Sequence, residues 1–432
     1  MKVFLDTIGC RLNQAEIELM ARQFRAAGHE IVASADHAEM AVVNTCAVTT
    51  QAASDSRGRI RTIARAGVEE IVTTGCWTSL QPKEAAALPN VKHVVTNDKK
   101  DLLVPTALNL EPAAFELEPI DRTPIPGLHR RTRAFIKVQD GCDNKCTFCI
   151  TTVARGEGRS RPLADVIADV NAALAGDAKE IVLTGVHLGS WGQDISTSLN
   201  APLHLRDLVK AILRETDVQR LRLSSLEPWD LDADFFSLWD PSTSSGRLMP
   251  HLHLPLQSGS DSTLKRMLRK TTTASFRELV NAARAVIPDA AITTDIIAGF
   301  PGETEKEFAE TLEFVKEMKF TGGHVFSYSS RPGTGAARMK GQVKPGLRKK
   351  RNHILQEAIE ESARSYREKF IGQTMSVLWE STTEYGEYGW RMEGWSGNYL
   401  RVSATAPAPR WNEVDKVELL EAEGEKVKGV IL

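Results

Sequence analysis

GCDNKCTFC, residues 141–149, holds three of the six cysteines of the chain, Cys142, Cys146 and Cys149, just after the apolar run FIKVQ at residues 135–139. Cysteine thiolates hold iron–sulfur clusters, and a cubane cluster normally takes four of them. Three thiolates leave one iron without a protein ligand, and an open metal position can bind a reactant. The spacing therefore predicts a 4Fe-4S cluster with one reactive iron.

Two other interpretations of this motif are open. A zinc ion would need a fourth ligand, for which His129 and His187 are candidates by residue type, although neither lies at zinc-finger spacing. Alternatively, each cysteine is a small buried apolar residue without a metal.

The motif opens a series of alternating strand-like and helix-like segments. The strand-like runs lie at residues 135–139, 180–186, 220–228, 251–258, 292–301 and 324–330, and helical patterns lie between them. Six such repeats predict a partial (β/α)6 barrel with parallel strands, whose carboxyl-end loops form the active-site mouth. The cysteine motif lies on the loop after the first strand, at that mouth.

The remaining cysteines, Cys10, Cys46 and Cys76, each follow an apolar run: VFLDTIGC, MAVVNTC and EIVTTGC. Continuous apolar runs separated by amphipathic helices are typical of buried parallel strands. Loops at the carboxyl ends of such strands line one crevice, so the three thiols are predicted to meet on an N-terminal open α/β sheet. The alternative is three unrelated core cysteines.

The segment FIKVQDGCDNKCTFCITTVARGEGRSR, residues 135–161, resembles the signature of the radical S-adenosylmethionine enzymes, and specifically of their methylthiotransferase branch. This resemblance implies that Cys142, Cys146 and Cys149 hold the cluster that binds S-adenosylmethionine, and that Phe148 packs beside its adenine. The segments TIGCRLNQAE, NTCAVTTQAASDSR and TTGCWTSLQP are similar to the cysteine motifs of the N-terminal domain of that branch. They imply that Cys10, Cys46 and Cys76 hold a second 4Fe-4S cluster, which supplies the sulfur.

Further candidates for binding S-adenosylmethionine lie at the predicted strand ends. They are Gly185, Ser224, Ser225, Glu227, Gln257, Ser258, Asp295 and Gly299, with Gly259 and Gly302 beside them. Glycine lets the backbone approach a ligand, while hydroxyl, amide and carboxylate groups can bond its ribose and amino acid parts. Taken singly, each glycine is also explained by an ordinary turn; as a group, their positions match the cofactor-contacting motifs of the radical family.

The predicted architecture is a multidomain α/β protein. The N-terminal iron–sulfur domain spans residues 1–105, a proline-rich linker spans 106–132, the radical core domain spans 133–368, and a small β domain spans 369–432. The last segment changes abruptly to short β patterns with Gly and Asn turns, which predicts a small closed antiparallel barrel. It resembles the TRAM module, which helps such enzymes to bind tRNA.

A tRNA anticodon stem-loop is the partner that the resemblance implies. The formal net charge of −2 gives no global sign of nucleic-acid binding, so phosphate contacts are expected at local basic runs. These runs lie at residues 129–133, 155–161, 265–270 and 344–351, and each could instead be a solvated helix face. The β domain is acidic; its aromatic residues Trp390, Trp395, Tyr399 and Trp411 could stack on bases or form its core.

Residues around GCRLNQ and NTCAVTTQAASDSR most resemble the enzymes that act on N6-threonylcarbamoyladenosine in tRNA. Isopentenyl-adenosine in tRNA and an aspartate of a ribosomal protein are the alternative substrates within the branch. An enzyme acting on a small metabolite and a non-catalytic iron–sulfur RNA-binding protein are the rivals outside it. A radical mechanism suits carbon 2 of adenine, whose C–H bond acid–base groups cannot ionise, and it needs an electron donor such as flavodoxin or ferredoxin.

The chain has neither a signal-peptide pattern nor an apolar stretch of membrane-spanning length. Assigning all six cysteines to clusters leaves none for a structural disulfide, which argues for a reducing compartment. A cytoplasmic protein without a membrane partner is therefore expected.

Overall fold

A computed structural model of the chain describes residues 1–111, 132–195, 203–287, 289–386 and 389–432. These residues form two compact units. The first comprises Met1–Asn144, Cys149–Asp177 and Thr184–His187, and the second comprises Lys145–Phe148, Ala178–Leu183 and Leu188–Leu432.

The first unit contains a fully parallel sheet of five strands. They are β1 (Lys2–Thr7), β2 (Glu30–Val32), β3 (Met40–Thr45), β4 (Glu70–Gly75) and β5 (Val91–Val94), in the order β2-β1-β3-β4-β5. The helices are α1 (Arg11–Ala26), α2 (Thr50–Arg65), α3 (Cys76–Leu80), α4 (Pro82–Ala86) and α5 (Leu103–Leu108). Every residue of the central β3 is buried, because helices cover both faces of the sheet.

The first unit also contains the segment around the 141–149 motif. Its elements are β6 (Arg133–Lys137), β7 (Gln139–Asp140), α6 (Thr151–Arg155), β8 (Arg159–Ser160) and α7 (Leu163–Ala175). The short strands β7 and β8 pair antiparallel on either side of the motif and α6. The motif is therefore a loop closed at its base by a strand pair.

The second unit contains five parallel strands, β9 (Glu180–Thr184), β10 (Leu221–Leu223), β11 (His251–His253), β12 (Ala291–Ala298) and β13 (Gly322–Ser327). A parallel bridge between Ser225 and His253 links β10 to β11. The helices are α8 (Leu205–Glu215), α9 (Pro241–Ser244), α10 (Asp261–Arg266), α11 (Thr273–Val286), α12 (Glu305–Met318) and α13 (Pro345–Glu368). Strand therefore alternates with helix, as the sequence predicts.

The second unit ends in a closed barrel of β14 (Thr374–Gly386), β15 (Gly389–Ser396), β16 (Arg401–Ala406), β17 (Val414–Glu423) and β18 (Lys426–Ile431). Its interior holds apolar side chains that include Val377, Trp379, Met392, Val402 and Val417. The predicted fold class is confirmed with one refinement: β16 and β18 pair parallel, whereas the other pairs in the barrel are antiparallel.

Most of the predicted linker, at residues 112–131, lies outside the described residues, as does His129. The predicted domain boundaries remain predictions, and α5 crosses the one placed at residue 105. A bilayer-spanning helix is absent from the described ranges: none combines the necessary length with the necessary apolar character.

Candidate functional site

Cys10, Cys46 and Cys76 lie at the carboxyl ends of three neighbouring strands. Cys10 lies between β1 and α1, Cys46 follows β3, and Cys76 begins α3 directly after β4. The strands β1, β3 and β4 are adjacent and parallel, so their carboxyl ends lie along one edge of the sheet. The three cysteines are near enough that negative charge on Cys76 or on Cys10 raises the pKa of Cys46.

Burial in the protein raises the pKa of two of these thiols. Desolvation, with smaller contributions from Cys76 and Cys10, raises the pKa of Cys46 to about 11. Desolvation also raises the pKa of Cys10, although this residue is accessible to solvent. A thiol that solvent reaches but protein surrounds lies in a recess, which is the kind of site that a cluster needs.

Glycines bring two of these cysteines close to the neighbouring strand. Gly9 has a φ of +117°, and a Cβ atom at this position would lie only 2.8 Å from the Sγ atom of Cys46. Gly75, with φ of +99°, has no room for a side chain, because a Cβ atom would lie 2.2 Å from the carbonyl oxygen of Thr45. Only glycine fits these positions, so each Gly-Cys pair fixes a thiol at the sheet edge.

Ser56 of α2 holds the backbone of Cys46 from both sides. Its hydroxyl accepts from the Cys46 N–H at 3.1 Å and lies 3.3 Å from the Cys46 carbonyl oxygen. Ser56 is fully buried. The sequence alone does not predict this role, although Ser56 lies within NTCAVTTQAASDSR, the segment that resembles a cysteine motif of the family.

In the described part of the chain, no three His, Cys, Asp or Glu side chains are arranged to hold one metal ion. A cubane cluster makes a different demand, because each thiolate binds a separate iron at a separate corner. His187, the described zinc candidate, is buried with its ring 3.3 Å from the side-chain amide of Asn144. The thiolate-rich composition of both triplets fits a cluster.

The loop of residues 141–149 is held at its two ends within the first unit. The Cys142 N–H donates to the Gly156 carbonyl at 3.0 Å, and the Thr151 N–H donates to Cys149 Sγ at 3.4 Å. Desolvation raises the pKa of Cys149, and the hydrogen bond from Thr151 opposes this effect. Cys146 belongs to the second unit.

In the second unit, Arg269 lies beside Cys146. Its Nη1 lies 3.9 Å from Cys146 Sγ, while Nη2 donates to Glu227 at 2.7 Å and to the Pro255 carbonyl at 2.6 Å. The guanidinium also lies 4.4 Å from the ring centre of Trp229. A predicted cofactor residue, Glu227, is thereby joined to a predicted cluster ligand through Arg269, which belongs to the basic run at residues 265–270 for which either phosphate contacts or a solvated helix face are predicted.

Two predicted cofactor residues of the second unit have unused polar atoms. Ser224 Oγ and Asp295 Oδ1 are buried and have no hydrogen-bond partner among the described residues. The other carboxylate oxygen of Asp295 lies 3.4 Å from His253 Nε2, and Ser225 pairs with His253 through the backbone. Buried polar atoms without partners are uncommon in proteins and indicate a ligand or water, so these residues fit a polar cofactor. His253 was missed by sequence reasoning.

Gln257 adopts a left-handed backbone with φ of +71°. Its N–H donates to the Asp295 carbonyl and its carbonyl accepts from Ile297, both within 2.9 Å. Such a conformation is uncommon for a residue other than glycine and is often found at functional sites. By contrast, the Ser258 hydroxyl is fully buried and lies 3.1 Å from the Thr311 hydroxyl.

Three further candidates pack against protein. Phe148 packs, half-buried, on an apolar cluster that includes Met267 and Phe300. A Cβ at Gly185 would lie 3.1 Å from the Gln139 side chain. A Cβ at Gly299 would lie 2.2 Å from Arg348 Cγ, so close packing also explains this glycine.

Many arginines of the basic runs are engaged inside the protein. Arg155 and Arg269 are buried, Arg266 pairs with Glu307 at 2.7 Å, and Arg351 pairs with Glu303 at 2.7 Å. The exposed cations of these runs are mainly lysines, namely Lys265, Lys270, Lys344, Lys349 and Lys350. The surface available for phosphate contacts is thus narrower than the sequence suggests.

Two aromatic residues of the barrel, Trp395 and Tyr399, form a stack with His251 of β11. The ring centres of His251 and Tyr399 are 4.0 Å apart, those of Tyr399 and Trp395 are 4.5 Å apart, and the Arg222 guanidinium lies 5.0 Å from Tyr399. Arg222 also donates to the Gly397 carbonyl at 3.0 Å. These contacts attach the barrel within the second unit.

Comparison with known proteins gives two family matches. Residues 2–96 match the family described as "Uncharacterized protein family UPF0004", and residues 136–315 match the radical SAM superfamily. The two matches lie in the order in which the sequence places its two cysteine triplets.

The chain is also similar to named enzymes over nearly its whole length. It is 35% identical to the threonylcarbamoyladenosine tRNA methylthiotransferase MtaB of Bacillus subtilis, over 97% of this chain and 94% of that protein. The MtaB protein of Thermotoga maritima is 38% identical over 88% of this chain and 86% of its own length. The tRNA-2-methylthio-N(6)-dimethylallyladenosine synthase of Maricaulis maris is 30% identical over 99% of this chain and 96% of its own length.

Among solved structures, the radical S-adenosylmethionine methyltransferase TsrM of Kitasatospora setae matches with a TM-score of 0.59 and 16% identity, over 78% of this chain and 75% of that chain. This likeness concerns the fold alone. The two family matches and the relatives that are similar over nearly the whole length show that the chain belongs to the radical S-adenosylmethionine methylthiotransferase family and is an enzyme of that family.

Proposed function

We propose that this enzyme adds a methylthio group to carbon 2 of N6-threonylcarbamoyladenosine in the anticodon stem-loop of tRNA. It would use S-adenosylmethionine and two 4Fe-4S clusters, one on Cys142, Cys146 and Cys149 and the other on Cys10, Cys46 and Cys76. The similarity to two MtaB proteins supports the substrate. The observation that supports the second cluster is the position of three cysteines at one edge of the N-terminal sheet, with Cys10 exposed to solvent and Cys46 and Cys76 buried.

When bound, S-adenosylmethionine and its cluster supply the radical chemistry that breaks the C–H bond at carbon 2 of adenine. The residues of the chain bind and orient this group. Ser224 Oγ and Asp295 Oδ1 offer unused polar atoms for its ribose or amino acid part, and the charge of Arg269 lies beside Cys146. A protein such as flavodoxin or ferredoxin would deliver the electron.

The test is mass spectrometry of nucleosides after anaerobic reaction of the reconstituted enzyme with tRNA that carries threonylcarbamoyladenosine. Wild type should add the methylthio group. Cys76→Ala should lose this product but still cleave S-adenosylmethionine when reduced, whereas Cys146→Ala should lose both activities. A Cys76→Ala enzyme that forms product at the wild-type rate would overturn the assignment of the sulfur-donating cluster.

Isopentenyl-type adenosine is the second candidate substrate, because the synthase of Maricaulis maris is 30% identical over 99% of this chain. The same assay with tRNA that carries this nucleoside separates the two candidates. Product on that tRNA alone would show that the substrate is the isopentenyl-type nucleoside and would contradict the proposal.

A further inference from the structure

Asn97 joins the cysteine at the start of α3 to the helix that follows the 141–149 motif. It is 4% exposed, and its Nδ2 lies 3.8 Å from Cys76 Sγ and donates to the Ala154 carbonyl at 2.8 Å. Its backbone N–H donates to Ser79 Oγ of α3 at 2.8 Å. The amide is therefore fixed with one N–H on helix α6 and the other directed at a thiol sulfur.

Arg155, the residue after Ala154, makes a second connection of the same kind. Its Nη1 donates to Glu16 at 2.8 Å and to Asp140 at 2.9 Å, and its Nη2 donates to Asn13 Oδ1 at 2.9 Å. The same Asn13 oxygen lies 3.8 Å from Cys10 Sγ. Arg155 thus reaches Cys10 through Asn13.

The buried charges around this connection do not balance. Arg155, Lys100 and Lys137 are positive, Glu16 and Asp140 are negative, and all five are 8% exposed or less. Three cations against two carboxylates leave one positive charge in the interior. Burying an unpaired charge is costly, so a further negative group is expected next to it.

Two charged groups at the edge of this network leave its net charge unchanged. Asp101 lies 3.4 Å from Lys137 and Arg159 lies 3.9 Å from Asp140. They carry opposite charges, and their side chains are substantially exposed. An oxidised cubane cluster held by three thiolates carries one net negative charge, which matches the excess inside.

We propose that Asn97 and Arg155 are positioning residues that hold and electrostatically tune the cluster on Cys10, Cys46 and Cys76, an inference that rests on the proposed function. Reduction adds negative charge to the cluster. An N–H directed at a ligand sulfur and a nearby guanidinium both stabilise that charge, so both raise the reduction potential of the cluster. Asn97 donates to the Ala154 carbonyl of α6, and Arg155 is itself the last residue of α6. Both residues therefore hold this cluster against the segment that carries Cys149.

The test uses the full chain with Cys142→Ala, Cys146→Ala and Cys149→Ala, which leaves only the N-terminal cluster. After reconstitution with iron and sulfide, a potentiometric titration followed by electron paramagnetic resonance gives its midpoint potential. Asn97→Leu and Asn97→Ala should each lower this potential, and Asn97→Asp should lower it further. Arg155→Gln should lower it as well, whereas Arg155→Lys, which keeps the charge, should recover most of the shift.

Asn352→Leu is the matched control, because Asn352 is a partly buried amide that donates to the Val325 carbonyl at 2.7 Å in the second unit. It should leave the potential unchanged. A parent protein that takes up no iron would refute the proposed function itself. A parent that holds the cluster, with Asn97 variants that fold, bind iron and keep the parent potential, would overturn this inference alone. Folded Asn97 variants that lose the cluster would support it.

Discussion

Arg269 Nη1 lies 3.9 Å from Cys146 Sγ, inside the second unit of the protein. Sequence reasoning placed this arginine in a basic run for RNA phosphates, but its side chain is only 1% exposed and pairs with Glu227 at 2.7 Å. A buried guanidinium cannot contact a phosphate outside; here it supplies a fixed positive charge beside a predicted cluster ligand.

Arg269→Met should therefore destabilise the protein by about 3 kcal/mol, because it leaves the Glu227 carboxylate without its partner. Thermal unfolding of the purified protein measures the effect. Lys265→Met, which removes an exposed cation of the same run, should change stability by less than about 0.5 kcal/mol. Equal effects of the two substitutions would show that the pair with Glu227 contributes nothing.

Gly75→Ala should disrupt the N-terminal cysteine site. A Cβ at Gly75 would lie 2.2 Å from the Thr45 carbonyl oxygen, so β3 and β4 would have to separate just before Cys76. Gly67 is the matched control, because its φ of +98° is nearly the same as the +99° of Gly75 and nothing lies within 4 Å of its Cβ position.

Gly67→Ala should cost only about 1–2 kcal/mol from backbone strain, with normal iron uptake. Gly75→Ala should cost more and should reduce the iron bound by the protein in which Cys142, Cys146 and Cys149 are alanine. Iron analysis and thermal unfolding of both variants check this. Normal iron uptake by Gly75→Ala would mean that the strand ends do not position Cys76.

Tyr399→Ala should loosen the attachment of the barrel, because it removes the stack with His251 and Trp395 and the contact with Arg222. A loss of about 2 kcal/mol is expected, with faster proteolysis at the barrel. Val430→Ala, on an exposed apolar residue of β18, is the control. Unchanged stability together with lost tRNA binding would instead favour the alternative in which Tyr399 stacks on a base.

Asp415 should give the barrel a stability that depends on pH. Hydrogen bonds from Arg410, and a further one from Trp379 at 2.8 Å, lower the pKa of Asp415 below its ordinary value of 3.8. Because the pKa of Asp415 is lower in the folded state than in the unfolded state, its ionised carboxylate stabilises the fold. This stabilisation is fully present above the pKa of the unfolded state and is lost as the pH falls through the pKa of the folded state.

Asp415→Asn should therefore lower the melting temperature most at neutral pH and progressively less below about pH 4. Melting curves of wild type and variant across pH 7 to 3 measure this difference. Asp217→Asn, on an exposed carboxylate outside the helices and strands, is the control and should leave the melting temperature close to that of wild type at every pH. A difference between wild type and Asp415→Asn that grows on acidification would contradict the sign of the shift.

Local patterns were enough to predict the fold class. The continuous apolar runs before Cys10, Cys46 and Cys76 correspond to β1, β3 and β4, and the abrupt β pattern after α13 corresponds to the closed barrel. Such patterns are readable because strand and helix periods and burial leave a direct mark on neighbouring residues. The parallel pairing of β16 with β18 was missed, because strand direction depends on long-range topology.

The sequence by itself determined the short spacing of Cys142, Cys146 and Cys149, the apolar run before each of the other three cysteines, and the order of the two triplets along the chain. Residue type and apolar periodicity can be read directly from the chain. Only the tertiary structure decided which charged side chains lie at the surface and which lie in the interior. Arg155 and Arg269 look like members of basic runs, yet each is buried against carboxylates that lie far away in sequence, Glu16 and Glu227. The reason is physical: a buried charge needs a partner in space, and folding alone brings residues 139 and 42 positions apart into contact.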